Sequence, residues 1–340
     1  MLEQAFGILI DEIALDIGSS NIRVFTKGRG VCLEEPAVVI AEEYKNKHRI
    51  IAFGTEAQKM VGRTPEHQQA IYPLQGGIFQ PKLAEQLIHN VIRKALGGKT
   101  LFKPRSVAGF SQYFQTQAKH TLTSILQQTA GKDVQCIEGL ICSALGCSLS
   151  TSSSKAMMLL DIGFSGTEIG VFCHSNIYRK HFIPIAGKHF NLSIQQHLKT
   201  KFEAEFSPHI IEDLKRNLCD ISTDAPFRSQ IILGKNIKTS QPKEVEISVS
   251  DISAALQQPL TILINGIYAE FSRLSPRVVS DLMENGILLC GGGAQLTNLS
   301  SFLQEKLHLP VILVDNPQRA MVLGASQLLA QEPYAHWMIR

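Results

Sequence analysis

One pattern occurs twice in this chain and limits what the chain can fold into. Ile13-Ala14-Leu15-Asp16-Ile17-Gly18-Ser19-Ser20-Asn21-Ile22-Arg23-Val24-Phe25 reads as strand, tight turn, strand. Met158-Leu159-Leu160-Asp161-Ile162-Gly163-Phe164-Ser165-Gly166-Thr167-Glu168-Ile169-Gly170-Val171-Phe172 repeats it. Each copy has an apolar strand, Asp-Ile-Gly, a few small residues and a second apolar strand, as a β-hairpin requires. The backbone N–H groups of such a turn can converge on an anion. An Asp at the strand end can hold a metal ion, directly or through water. Either copy alone is an ordinary hairpin. Two copies facing one another predict a clamp on the phosphates of a nucleotide.

A third motif lies near the end. Ile287-Leu288-Leu289-Cys290-Gly291-Gly292-Gly293-Ala294 reads as a buried strand ending in three glycines, followed by a helix through Leu307. Glycines there let a flat ring approach the backbone, and a helix N-terminus favours phosphate. Between the hairpins, Ser148 to Ser154 is a Ser/Thr tract, the best linker signal in the chain. A domain boundary is therefore expected near residue 148.

Composition removes several function classes. The 340 residues allow two domains. With 33 basic and 30 acidic residues, the net charge of +3 is too balanced to argue for nucleic acid. Seven cysteines, with no Cys-x-x-Cys pair, predict reduced thiols in a cytosolic protein. No apolar run reaches the ~18 residues of a membrane-spanning helix. Residues 1–10 are apolar but lack the basic start of a signal peptide, and are expected to lead into the first strand or, alternatively, to form an amphipathic surface turn.

Local patterns fix further elements. Apolar residues at 83, 87, 88, 91, 92, 95 and 96 keep helical spacing. Thr55 to Val61 reads as a short helix capped by Thr55. Gln258-Pro259 is expected to interrupt the helical stretch opened by Ser250-Asp251. Gly97-Gly98-Lys99-Thr100-Leu101-Phe102-Lys103-Pro104-Arg105 puts a Leu-Phe pair on a loop of glycines and cations. The pair either folds back into the core or dips into a lipid surface while the cations meet anionic head groups.

In this order the three motifs resemble the actin–hexokinase–heat-shock-chaperone ATPase superfamily, and within it the MreB family of bacterial actins. Leu15 to Asn21 is similar to the family's I-D-L-G-T-A-N, and Lys27 to Val39 to its K-G-x-G-I-V-L-N-E-P-S-V-V. Val61-Gly62-Arg63-Thr64-Pro65, Pro73-Leu74, Gly286 to Ala294 and Leu323-Gly324-Ala325 fit as well. The resemblance implies an α/β fold of two actin-like lobes with a nucleotide cleft between them. Lobe I would span 1–147, with a smaller subdomain at about 33–72. Lobe II would span 148–317, with a smaller subdomain at about 188–242, and residues 318–340 would return to lobe I.

The resemblance also implies the site. Asp16 and Asp161 would organise Mg²⁺. Ser19, Ser20, Asn21, Gly163, Ser165, Gly166, Thr167 and Gly187 would lie at the phosphates of ATP. Gly291, Gly292, Gly293 and Ala294 would abut the adenosine, with Glu212 and Lys215 on its other side. Glu138 would orient the attacking water, and Leu101 and Phe102 would enter the membrane. The implied function is a cytoplasmic protein assembling with itself into filaments on the inner face of the cytoplasmic membrane. It would act with wall-synthesis and shape proteins, without nucleic acid, and as a slow ATPase at most. A sugar or acetate kinase of the same superfamily needs a catalytic Asp beside a substrate pocket, and no candidate is present.

The chain departs from the family pattern in its ATP chemistry. The family's D-I-G-G-G-T-T-E is Asp161-Ile162-Gly163-Phe164-Ser165-Gly166-Thr167-Glu168, and its I-E-E-P is Ile137-Glu138-Gly139-Leu140. Its G-G-D is Ala186-Gly187-Lys188, and its E-E-I-K-x-E is Glu212-Asp213-Leu214-Lys215-Arg216-Asn217. The alternative function is therefore a divergent actin-fold scaffold with weak or no nucleotide turnover, acting through protein partners.

Overall fold

A computed structural model describes residues 11–44, 47–75, 79–98, 104–114, 116–131, 133–149, 154–174, 176–222 and 224–329. The chain divides into two compact units, one of Met1–Ser150 with Arg319–Arg340 and one of Thr151–Gln318.

The first unit runs β1 (Glu12–Ile17), β2 (Asn21–Thr26), β3 (Gly30–Pro36), β4 (Val39–Tyr44), β5 (Lys47–Phe53), α1 (Gly54–Met60), β6 (Gln68–Ile71), α2 (Pro81–Ala95), β7 (Arg105–Phe110), α3 (Thr116–Thr129), β8 (Gln135–Glu138) and α4 (Gly139–Gly146). A last helix, Ala320–Leu329, completes it. The main sheet has the order β3-β2-β1-β7-β8, and a small sheet the order β5-β4-β6. β1 is antiparallel to β2 and parallel to β7. Successive strand residues face opposite ways. Ile13, Leu15 and Ile17 therefore join Leu87, Ile88, Val91, Leu122 and Leu126 of α2 and α3 in one core. Ala14 and Asp16 face the other side, where Met321 of the last helix reaches Gly109, the β7 partner of Asp16.

The second unit is built the same way. It runs β9 (Met157–Ile162), β10 (Thr167–Cys173), β11 (Asn176–Ile183), α5 (Gly187–Phe202), β12 (Ala204–Glu205), α6 (Pro208–Leu218), β13 (Ser229–Asn236), β14 (Pro242–Ser248), α7 (Val249–Phe271), α8 (Pro276–Asn285), β15 (Ile287–Cys290), α9 (Leu299–Leu307) and β16 (Val311–Leu313). Its main sheet, β11-β10-β9-β15-β16, repeats the first unit's order of antiparallel then parallel neighbours, and a small sheet has the order β12-β13-β14. Met158, Leu160, Ile162, Ile169 and Val171 pack with Phe190, Ile194, Ile252, Leu256 and Leu263.

Three sequence expectations are corrected. Pro259 does not interrupt α7, which is continuous over 23 residues. A proline leaves the carbonyl four residues back without its donor. Here that carbonyl, Ala255 O, accepts from the Ser193 hydroxyl of α5 at 2.7 Å. Thr55 is not the cap of α1. Phe53 holds that position, and Thr55 donates both its N–H (2.6 Å) and its hydroxyl (2.8 Å) to Glu35, a residue 2% exposed. The glycine motif does not open a helix. It forms one 3₁₀ turn, Gly292–Gln295, and α9 starts only at Leu299 after Asn298 in the left-handed region.

None of the seven cysteines is in a disulfide. Among the described residues, no helix is long and apolar enough to cross a membrane. Residues 1–10 and the Leu101–Phe102 pair lie outside the described residues.

Candidate functional site

In the first unit the hairpin turn closes with Gly18 N–H donating to Asn21 O at 3.1 Å. A Cβ on Gly18 would stand 2.6 Å from that oxygen, so the position takes only glycine. The Ser20 hydroxyl donates to Asn21 Oδ1 at 2.9 Å, and Ser20 O accepts from Ala37 N at 2.7 Å. Ser19 lies between Gly18 and Ser20 in the same turn. Asp16, 4% exposed, is the next-to-last residue of β1. Its cross-strand neighbour is Arg23, whose Nη1 reaches Asp16 Oδ2 at 3.0 Å and whose Nη2 reaches Glu34 at 2.7 Å. Burial works against the Arg23 charge, but Asp16 and Glu34 hold its pKa above the ordinary value. Sequence reasoning missed Arg23. Its signal was the register of the hairpin, which sets it directly opposite Asp16.

Glu138 ends β8. Its neighbour on β7 is Phe110, and Phe110 is in turn the neighbour of Ile17. The first hairpin and Glu138 therefore share the C-terminal edge of one run of parallel strands, where open α/β sheets bind ligands. Gly139, where the family pattern has a second acid, is enclosed. A Cβ there would lie 2.6 Å from Met321 Cε and 2.7 Å from Phe110 O. The space for that acid is filled by the last helix.

The second unit repeats the turn, with Gly163 N–H donating to Gly166 O at 3.1 Å. Here the residue opposite Asp161 is Glu168, 4% exposed. Ser165 is buried, and Thr167 is buried with its hydroxyl donated to Ile185 O at 2.6 Å. The Phe182 ring lies where a side chain on Gly166 would go. The first N–H groups of α5 close on the turn, Gly187 N to Gly163 O at 3.2 Å and Lys188 N to Phe164 O at 2.8 Å.

The three glycines after β15 differ from one another. Gly291 has φ +87°, and a Cβ there would stand 2.4 Å from both Asp161 Oδ1 and Ile162 O. A Cβ on Gly293 would stand 2.5 Å from Ile162 Cγ2. Gly292 is exposed, and a Cβ there would meet nothing within 4 Å, whereas Ala294 is 1% exposed. Asp220, also missed from sequence, ties this region to the end of α6. It accepts from Ser222 N at 3.1 Å, the Ser222 hydroxyl at 2.7 Å and Asn298 Nδ2 at 2.7 Å.

On α6, Glu212 accepts from Lys215 at 2.8 Å, from Arg216 at 2.9 Å and from Asn191 of α5 at 2.8 Å. Burial opposes the Glu212 charge, yet Lys215 and the hydrogen bonds push its pKa down to about 2. Lys215 is 9% exposed, and burial draws its own pKa down despite the pairing. A carboxylate with a depressed folded pKa adds stability above its unfolded pKa and loses it as pH falls through the folded value. Glu212→Gln should therefore lower the melting temperature at pH 7. Thermal melts should show the gap to wild type narrowing between pH 4.5 and pH 2, the span from its ordinary value to its folded one. A gap constant over that window would show that the ion pair adds nothing.

A family model described as MreB/Mbl protein matches residues 10–335. The cell shape-determining protein Mbl of Bacillus subtilis strain 168 is 28% identical over 320 residues, covering 94% of this chain and 95% of that protein. The cell shape-determining protein MreB of Escherichia coli K12 is 26% identical over 333 residues, covering 97% and 96%. Among solved structures, MreB5 of Spiroplasma citri bound to AMPPNP aligns with a TM-score of 0.87 at 22% identity, over 94% of this chain and 96% of that one. The MamK double helical filament aligns with a TM-score of 0.78 at 18% identity, over 95% and 99%.

Proposed function

This chain belongs to the MreB/Mbl family and has its actin-like fold, and from that premise we propose that it binds an adenine nucleotide and assembles into filaments that guide bacterial cell shape and wall synthesis. The observation that carries the reading is one plan used twice. Two hairpins far apart in sequence share a Gly N–H to carbonyl closure at 3.1 Å, an Asp at the same register and the same place in a five-stranded sheet. The turns around Ser19, Ser20 and Asn21 and around Gly163 to Thr167 take phosphate oxygens. Open Gly292 lies against the adenosine, and Glu138 positions water. In support, Spiroplasma citri MreB5 has been seen with AMPPNP and with ADP, and MamK as a double helical filament.

Mg²⁺, when bound, supplies charge neutralisation for the phosphates. Among the described residues no three His, Cys, Asp or Glu side chains gather into a protein cage. Such an ion would be held largely by nucleotide and water, as is usual for Mg²⁺. Asp161 of the second hairpin fits that role, with a second carboxylate opposite it. Asp16 does not, because Arg23 already answers its charge.

The enclosed Gly139 and the bulky Phe164 favour slow turnover or none, so the scaffold reading stays attached to the filament reading. We place the filament at the inner face of the cytoplasmic membrane, with Leu101 and Phe102 as the inserting pair. Each buried apolar side chain is worth roughly 1.5–3 kcal/mol. One loop holds weakly, and a filament repeats it. Of the cations beside the pair, Arg105 is engaged by Glu12 at 3.3 Å.

The test is sedimentation of the full chain with ATP, with ADP and without nucleotide, each with and without anionic vesicles. Pelleting should require ATP. Recovery with vesicles should require assembly and should fall in the Leu101→Ser, Phe102→Ser double variant. Absence of pelleting under every condition would sink the filament reading and leave the scaffold.

A further inference from the structure

The two hairpins match in turn hydrogen bond, register and sheet position, and differ in the charge set opposite the Asp. Asp161 faces Glu168, whereas Asp16 faces Arg23. Residues directly opposite on an antiparallel pair share a face of the sheet. The second hairpin thus turns two carboxylates to one face, and the first turns a carboxylate and a guanidinium.

The pairing at the first hairpin is built into the fold. The Arg23 side chain is 13% exposed and the Asp16 side chain 6%. Arg23 bridges from β1 to β3, with Asp16 at 3.0 Å and Glu34 at 2.7 Å. Arg319, where the chain returns to the first unit, reaches Glu34 at 4.0 Å and extends the network. Two carboxylates and two guanidiniums balance one another. A divalent cation arriving at Asp16 would find no uncompensated negative charge in this network, and would have to displace a hydrogen-bonded ion pair from a buried site. Breaking such a pair is strongly unfavourable. The guanidinium is always charged, and its planar fork of donors suits phosphate as well as carboxylate. Its Nε is buried and makes no hydrogen bond within the protein.

We propose that Arg23 is the resident cation of the first hairpin, held by Asp16 in the place where this hairpin would otherwise recruit a divalent metal, so that nucleotide binding does not require Mg²⁺ and an ion at Asp161 adds little to the affinity. Asp16 is then an anchor for Arg23 and not a metal ligand. The inference rests on the nucleotide reading above.

The test is calorimetric titration of the full chain with ATP, once with excess Mg²⁺ and once with excess EDTA. Wild type, Arg23→Leu and Arg23→Lys are compared, each checked by thermal melting. Wild-type affinity should change by less than about threefold between the two media, well under the tenfold that corresponds to 1.4 kcal/mol. Arg23→Leu should bind at least about tenfold more weakly in EDTA and recover in Mg²⁺, since it leaves Asp16 to the metal. Arg23→Lys should keep the metal independence. If Arg23→Leu does not fold, the wild-type and Arg23→Lys titrations decide. Wild type that binds ATP in Mg²⁺ and loses it in EDTA overturns the inference and leaves the nucleotide reading standing. No binding in either medium overturns both.

Discussion

Gly324→Ala is expected to destabilise the first unit by roughly 3 kcal/mol or more, at the upper end for overpacking. A Cβ on Gly324 would stand 1.7 Å from Cys142 O, and one on Gly146 would stand 1.8 Å from Ala320 O. The last helix and α4 therefore touch backbone to backbone, at two glycines that face each other's helix. No rotamer relieves a clash between a Cβ and a main-chain carbonyl, so the helices must separate. Separation moves Met321 off Gly109 and Gly139 and loosens the cover over the Asp16 face of β1. For a unit of this size the loss should lower its melting temperature by roughly 6–12 °C. Scanning calorimetry of the full chain measures it. A loss below about 1 kcal/mol, within the range of ordinary substitutions, would show that the helices part at little cost.

Gly291→Ala and Gly292→Ala should separate fold from ligand. At Gly291 the positive φ and the 2.4 Å approach to Ile162 O and Asp161 Oδ1 act together. Strain and clash should cost roughly 3 kcal/mol or more. The added methyl also pushes against the Asp161 carboxylate, so ATP affinity should fall about tenfold or more, a change of 1.4 kcal/mol. A Cβ on Gly292 would meet nothing within 4 Å. Its substitution should stay within about 0.5 kcal/mol of wild-type stability, while still weakening ATP, because the methyl occupies the face offered to the adenosine. Unchanged ATP affinity in Gly292→Ala would show that the adenosine does not lie there. Melting curves and calorimetric titration of both variants read the contrast.

Much of the fold was legible because its signals are local. The two hairpins appear in the sequence as strand, Asp-Ile-Gly and strand, and the turn hydrogen bonds span three residues. The helix at Pro81–Ala95 follows from its spacing of apolar residues, all of which face the core up to Ala95. Legibility failed where a distant partner changed a local rule. Pro259 reads as a break only until Ser193 supplies the donor that its ring removed. Thr55 reads as a cap only until Glu35, in β3, takes both its hydrogen bonds. The three glycines read as equivalent, and packing against Ile162 makes them unlike.

The sequence by itself determined the doubled hairpin, the glycine-ended strand, the helix periods and the family, since turn chemistry and side-chain period need only near neighbours along the chain. The tertiary structure alone decided that Arg319, from near the other end of the chain, extends the Asp16–Arg23–Glu34 cluster at Glu34. It alone decided that Gly139 has no room for a second acid, because Met321 arrives there from the other end of the chain. Both are contacts between residues that only folding brings together, and neither local propensity nor motif carries them.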